Sequence, residues 1–256
     1  MKDRYVESCI GYLRFGYDFD GLDFPQLSEQ LFTKILEGDE SADDAIEDYK
    51  KRMNLSDSYD ASFDEFSLYP DTRCLVNYFN IKDKSLLKKA EMFISSVRIC
   101  ELLEKGQDDV VTDFGYLRRL HSVFFGDIYP SAGAIRTKSI SKKTEFCRPE
   151  YIEKMGQEIF RKLSDASYLK DLEDQDDFIN ELAYFMGEVE ALHPFMEGNG
   201  RTSRFFFTTL ALNAGYEIHW ENADADNFLE ANIAAIEGDY QPLVDVLEEI
   251  IIRKED

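Results

Sequence analysis

The sequence predicts an all-α fold, a helical bundle with a small β-hairpin flap and a separate helical hairpin near its N-terminus. Apolar residues recur three and four positions apart in most segments, the mark of helices buried on one face. Capping residues punctuate those segments. Only 134–147, AIRTKSISKKTEFC, alternates polar and β-branched residues around a Ser-Lys-Lys centre, as a hairpin does.

In chain order, 25–55 reads as two short helices. Leu27, Leu31 and Ile35, with Phe32 and Leu36, form the stripe of the first, and Gly38 stands where a C-terminal cap belongs. Ser41 starts the second, with Asp44 closing a capping box, and Ala45, Ile46, Tyr49 and Met53 supply its apolar face. So small a hairpin cannot bury enough surface alone and needs a larger partner. Residues 54–70 lose the periodicity and close on Pro70, which predicts a linker and divides the chain into 1–60 and 61–256. Helices then run from Ser85 to about Leu103, from Tyr116 to Phe125, from Pro149 onward and over 176–191. The acidic cluster 171–177 reads as a solvated loop and helix start.

The composition excludes several classes. With 256 residues, 44% of them hydrophobic, the chain can build a core. Its formal charge of -23 disfavours wrapping nucleic acid or an anionic membrane, so any anionic ligand must be held by a local cluster of donors. No apolar run reaches the roughly 20 residues that span a bilayer, and the opening MKDRYVESCIGYLRFGYDFD lacks the block of a signal peptide. Cys9, Cys74, Cys100 and Cys147 are scattered without metal-ligand spacing, which predicts reduced thiols and a cytoplasmic protein. A protein delivered into another cell by a secretion machine would carry the same signature.

The chemistry concentrates in His193 to Arg204, HPFMEGNGRTSR. The run opens a strongly apolar helix that ends near Gly215. Unpaired N–H groups and the positive dipole end at such a start attract anions, and Gly198 and Gly200 let the backbone approach phosphate oxygens. Arg201 and Arg204 project from neighbouring positions on the first turn and can grip successive phosphates. Glu197 offers a hard oxygen for Mg²⁺, Asn199 an uncharged donor, and His193 a general base for a target hydroxyl. Taken singly, a Gly-Asn-Gly is a turn, a His before Pro is packing and an Arg pair is a solvated face. Their joint presence in twelve residues favours a phosphate-binding catalytic loop. A zinc site fails, because Pro194 disfavours a helix through His193 and Glu197, and only His121 and His219 remain as further histidines.

These residues resemble the Fic proteins, whose signature is His-x-Phe-x-(Asp/Glu)-Gly-Asn-Gly-Arg-x-x-Arg; every specified position is met. The resemblance extends to LHSVFFGDIYPSAGAIRT, with Ser131 where a Trp is often found, to SLYPDTRCLVNYFNIKD near Ser67 and to EGDYQPLVDVLEEI, so that about 65–252 matches. It implies a mostly helical fold with one β-hairpin, and AMPylation: transfer of AMP from ATP to a Ser, Thr or Tyr hydroxyl with loss of pyrophosphate. His193 would be the base and Glu197 would position Mg²⁺. Asn199, with the N–H groups of Gly198 and Gly200, would hold phosphate oxygens, and Arg201 and Arg204 would grip the β- and γ-phosphates. The flap, Lys138, Ser139, Ile140, Ser141, Lys142, Lys143 and Thr144, would clamp the target's main chain by adding a strand.

Thr33-Lys34-Ile35-Leu36-Glu37-Gly38 is similar to the family's inhibitory pattern, (Ser/Thr)-x-x-x-Glu-(Gly/Asn), and 33–53 looks like the small antitoxins that silence mobile Fic toxins. Thr33 and Glu37, four apart, share a helical face. Glu37 paired with Arg204 would occupy the place meant for the γ-phosphate, giving an autoinhibited transferase. Two alternatives carry different expectations: an enzyme that removes AMP using Glu37 to orient water, and a nucleotide-binding regulator without catalysis. The target protein, the modified residue and the oligomeric state have no signature in the sequence.

Overall fold

The computed structural model describes residues 2–106, 110–140 and 145–254, and it is mostly helical. The chain forms two compact units, Met1–Gln107 with His121–Ala134, and Asp108–Leu120 with Ile135–Asp256.

In the first unit, α1 (Lys2–Phe19) precedes the hairpin of α2 (Gln26–Glu37) and α3 (Ala42–Arg52), and all three pack against α4 (Lys84–Glu104). The hairpin follows its capping residues. Gly38 takes φ 82°, the left-handed conformation that ends α2, and Ser41 accepts a hydrogen bond from the Asp44 N–H to start α3. Aromatic rings carry the hairpin's stripe into the unit's core. Tyr17 meets Phe24 edge-on at 5.1 Å, Phe24 meets Phe32 at 6.0 Å, Phe32 lies 5.9 Å from Phe93, and Phe93 stacks on Tyr49 at 4.1 Å. Leu27 departs from the expected stripe: it is 77% exposed in the first turn of α2.

Charge reinforces the same packing. Arg98 on α4 forks onto Asp127 at 2.7 and 3.1 Å and also reaches Glu101 and Asp43, each at 2.9 Å. The segment expected as a linker leads into a turn with its own hydrogen bonds. Ser67 and Tyr69 pair with Val76 and Cys74 across it, and buried Asn77 ties Leu75 and Ile81 together. The four cysteines form no disulfide, and burial pushes the Cys9 thiol up to about 11, as suits an inert structural thiol.

The helix α5 (Phe114–Phe125) begins in the second unit and ends in the first. The rest of the second unit comprises α6 (Pro149–Asp165), α7 (Gln175–Leu192), α8 (Asn199–Asn213), α9 (Ala225–Ile236) and α10 (Gln241–Ile250). Pro149 opens α6 at a position where its missing N–H costs nothing, and Asp174 caps α7 by accepting from Asp176 and Asp177. The acidic cluster 171–177 thus spans the start of α7, as its reading as a loop and helix start expected. α7 is the hub, packed against α6, α8, α9 and α10.

Among the described residues one small antiparallel sheet completes this unit, β1 (Tyr216–Ile218) against β2 (Ile251–Arg253), with Glu217 opposite Ile252. It lies away from the segment where a hairpin was expected. Residues 134–140 contain no strand, and Ser141, Lys142, Lys143 and Thr144 lie outside the described residues. A buried side chain, Arg136, binds the main-chain oxygens of Lys138 and Cys147.

The crossing of α7 with its neighbours depends on Gly187. A Cβ there would stand 2.7 Å from the Tyr240 ring and 3.0 Å from the Ala235 Cβ. Gly187→Val should therefore destabilise the protein by about 1–3 kcal/mol through overpacking, read as a lower urea midpoint at unchanged slope.

Candidate functional site

The loop between α7 and α8 reverses the chain through two left-handed residues. His193 ends α7 with φ 45° and ψ 63°, its N–H still bonded to the Val189 carbonyl at 3.1 Å. Gly198, at φ 78°, precedes α8 without a side-chain cap. Glycine is favoured there because a Cβ disfavours that region. Between them, Phe195 is buried as the loop's anchor.

Asn199 closes the turn. Its Oδ1 accepts from the Phe195 N–H at 2.9 Å, and its Nδ2 donates to the Phe195 carbonyl at 2.8 Å. Thr202 adds a bond from its hydroxyl to the Gly198 carbonyl at 2.9 Å. The sequence suggested Asn199 as a donor to phosphate; in the structure its amide is turned into the loop and 7% exposed. The side chain braces the first turn of α8, whose N–H groups carry the dipole's positive end.

Around that turn the expected residues converge. Arg201 and Arg204 sit three apart on α8, both buried, and Gly200 lies between Asn199 and Arg201 on the same turn. Glu197 is exposed at the loop's rim. Among the described residues no three His, Cys, Asp or Glu side chains gather as a metal cage. A single exposed carboxylate beside an anion-attracting helix start fits an ion such as Mg²⁺, which takes one or two carboxylates and completes its shell with phosphate and water.

His193 is buried, and the Phe146 ring lies flat against its imidazole, with centroids 3.8 Å apart and planes at 16°. Glu190, one turn earlier on α7, has Oε2 3.9 Å from His193 Nδ1. That distance is too long for a hydrogen bond.

Arg136 ties these parts together and had no role assigned from sequence. It is 1% exposed, and its Nε donates to the His193 carbonyl at 2.8 Å. Nη1 donates to the Lys138 carbonyl at 2.9 Å and Nη2 to the Cys147 carbonyl, while the main-chain N–H of Arg136 donates to the Pro194 carbonyl at 2.9 Å. Cys147 is bonded in turn to the Ala191 carbonyl. Burial pulls the Arg136 pKa below the ordinary guanidinium value, with the Cys147 side chain a smaller opposing influence.

Of the other predicted positions, Lys138, Ser139 and Ile140 lead into the flap, whose centre lies outside the described residues. Thr33 is half-buried and Glu37 exposed on the last turns of α2, in the first unit. No described helix is long and apolar enough to cross a membrane.

A mostly helical core thus presents a histidine, a carboxylate and two arginines along one loop and helix start, groups whose chemistry suits an anionic phosphate ligand. A model of the Fic/DOC family matches residues 112–211, which include the whole loop. The probable protein adenylyltransferase y4lH of Sinorhizobium fredii is 36% identical over 184 residues, 72% of this chain and 94% of that protein. By that relationship the chain belongs to the Fic/DOC family of protein adenylyltransferases. The fold agrees with solved Fic domains of VirB-translocated Bartonella effectors. One from Bartonella quintana with bound ADP has a TM-score of 0.67 at 21% identity, covering 73% of this chain and 95% of that one. The BepC protein of Bartonella tribocorum with bound AMPPNP has a TM-score of 0.66 at 24% identity, covering 73% and 97%.

The closure by Asn199 yields a stability test. Asn199→Ala leaves the buried N–H and carbonyl of Phe195 unpaired, which should cost about 1–3 kcal/mol and appear as a lower midpoint in thermal or urea unfolding. An unchanged midpoint would mean that the turn holds itself without the amide.

Proposed function

We propose that the chain transfers AMP from ATP to a Ser, Thr or Tyr hydroxyl of a target protein, and that Glu37 holds this activity down in the full-length chain. The observation that carries the reading is the intact loop, with His193 fixed at the end of α7 and Arg201 and Arg204 on the opening turn of α8. Membership in a family whose relatives include protein adenylyltransferases supports it.

In this reading the nucleotide's phosphates lie against the N–H groups of the α8 opening, at Gly198 and Gly200, with Arg201 and Arg204 on the β- and γ-phosphates. The His193 imidazole takes the proton of the target hydroxyl. Its oxygen bonds to the α-phosphorus, the bond from that phosphorus to the bridging oxygen breaks, and pyrophosphate leaves with the electron pair. Glu197 would hold Mg²⁺ together with the phosphates; when bound, the ion neutralises charge developing on the leaving group. Asn199 contributes by fixing the loop, with its spare amide hydrogen available to a phosphate oxygen. Lys138, Ser139 and Ile140, continuing through Ser141 to Thr144, would dock the target's main chain as an added strand.

The inhibitory role rests on the sequence pattern. Thr33 and Glu37 follow one face of α2, and the helix stops at Gly38 immediately beyond them. A carboxylate that engages Arg204 would compete with the γ-phosphate, leaving ATP in a pose from which AMP is not transferred. The residues 1–60 thus act as an antitoxin-like segment joined to the catalytic part in cis.

Labelled ATP tests both halves. Glu37→Gly should raise transfer onto proteins of a cell lysate about tenfold or more. Adding His193→Ala to that variant should abolish transfer while ATP binding measured by calorimetry persists. Equal labelling in the wild type and both variants would reject the reading. Release of AMP from a modified target by the wild type, without ATP, would replace transfer with the reverse hydrolytic activity.

A further inference from the structure

We infer that Arg136 is a positioning residue for the transfer reaction: it fastens the two feet of the target-docking flap to the main chain that carries His193. The inference rests on the proposed transferase reading for its chemistry, and on four main-chain acceptors for its geometry. Two belong to the catalytic loop, His193 O and Pro194 O; two belong to the flap's ends, Lys138 O and Cys147 O.

A guanidinium is suited to this because its planar fork presents five donors in fixed directions. Pro194 O is held by the main-chain N–H, which any residue keeps, but of the other three carbonyls a lysine would reach one at a time and leave the rest without the guanidinium's bonds. The consequence for the base is direct. His193 occupies a left-handed conformation that a non-glycine residue adopts only when its surroundings enforce it, and the Arg136 Nε bond is made to that residue's own carbonyl. At the other end, the bond to Cys147 O sets the residue that follows Phe146, whose ring lies against the imidazole. The base is therefore fixed through its main chain by Arg136 and across its ring face by Phe146.

This arrangement separates two kinetic quantities. Arg136 directs these bonds to the loop and the flap's ends and not to the first turn of α8, where nucleotide would lie, so its loss should leave nucleotide binding nearly intact. Misplacement of the imidazole should instead slow the transfer step, where shifts of about 1 Å cost on the order of 100-fold.

The test uses the full chain carrying Glu37→Gly, with Arg136→Lys or Phe146→Leu added. Arg136→Lys should lower kcat about 100-fold with KM for ATP changed less than about threefold. Phe146→Leu should lower kcat about tenfold, again without a change in KM, and serves if the lysine variant does not fold. Hydrogen exchange followed by mass spectrometry supplies the readout independent of catalysis. Arg136→Lys should raise uptake at the Arg136 and Cys147 amides together, with the α9 and α10 peptides unchanged. Equal kcat in both variants, a rise in KM that accounts for the whole loss, or unchanged exchange at 136 and 147 would overturn the inference. If the parent variant itself transfers no AMP, the transferase reading fails, and the exchange result alone decides whether Arg136 couples flap and loop.

Discussion

The active loop depends on one short-range constraint, the paired hydrogen bonds between the Asn199 amide and the main chain of Phe195. A chain leaving one helix and entering the next within six residues must bury main-chain groups that neither helix satisfies. Asn199 is the first residue of α8 and sits four positions past Phe195, so its side-chain amide can satisfy one N–H and one carbonyl of that residue at once. With the ends pinned, Phe195 stays in the core and the first turn of α8 remains without a side-chain cap. A helix start kept open in this way retains the donors and the positive potential that phosphate chemistry requires.

Specificity of charge follows from the same geometry. The chain as a whole is strongly acidic, so attraction of a polyanionic nucleotide cannot come from its general field. Two arginines on one turn, together with the helix dipole, place positive groups at this helix start. Their burial matters because charge interactions strengthen as water is excluded, and because the surrounding aromatic packing fixes where the guanidinium groups stand. Phe206, two residues beyond Arg204 and fully buried, meets Tyr116, Phe160 and Phe207 at 6.0, 5.4 and 5.1 Å, so the helix that carries the arginines is held by aromatic contacts.

Elements announced by local chemistry were legible in the sequence. Gly38, Ser41 and Pro149 each state a helix boundary through a conformational preference, and the structure has boundaries at those positions. α1 was not legible. Its buried residues, including Cys9, Ile10, Leu13, Phe15 and Tyr17, lie on more than one face, and Gly11 and Gly16 weaken its helix preference, so no clean stripe emerges. The β1–β2 sheet was equally silent, because two three-residue strands separated by α9 and α10 leave no alternating run long enough to read.

The site divides in the same way. His193, Glu197, Arg201 and Arg204 stand out in the sequence by type and spacing, and the structure sets them along one loop and the helix it opens. Side chains that hold the main chain do not stand out, since a carbonyl acceptor belongs to every residue and has no signature. Arg136 is the clearest case, and Asn199 shows how a polar residue in a phosphate motif can serve the backbone first.

The most direct measurement of the central claim is the identity of the transferred group. Intact-mass and fragment analysis of proteins exposed to the Glu37→Gly chain with ATP and Mg²⁺ should find adducts equal to AMP on hydroxyl side chains, with pyrophosphate as the co-product. Adducts equal to phosphate alone, or ATP consumed with no protein adduct, would contradict it.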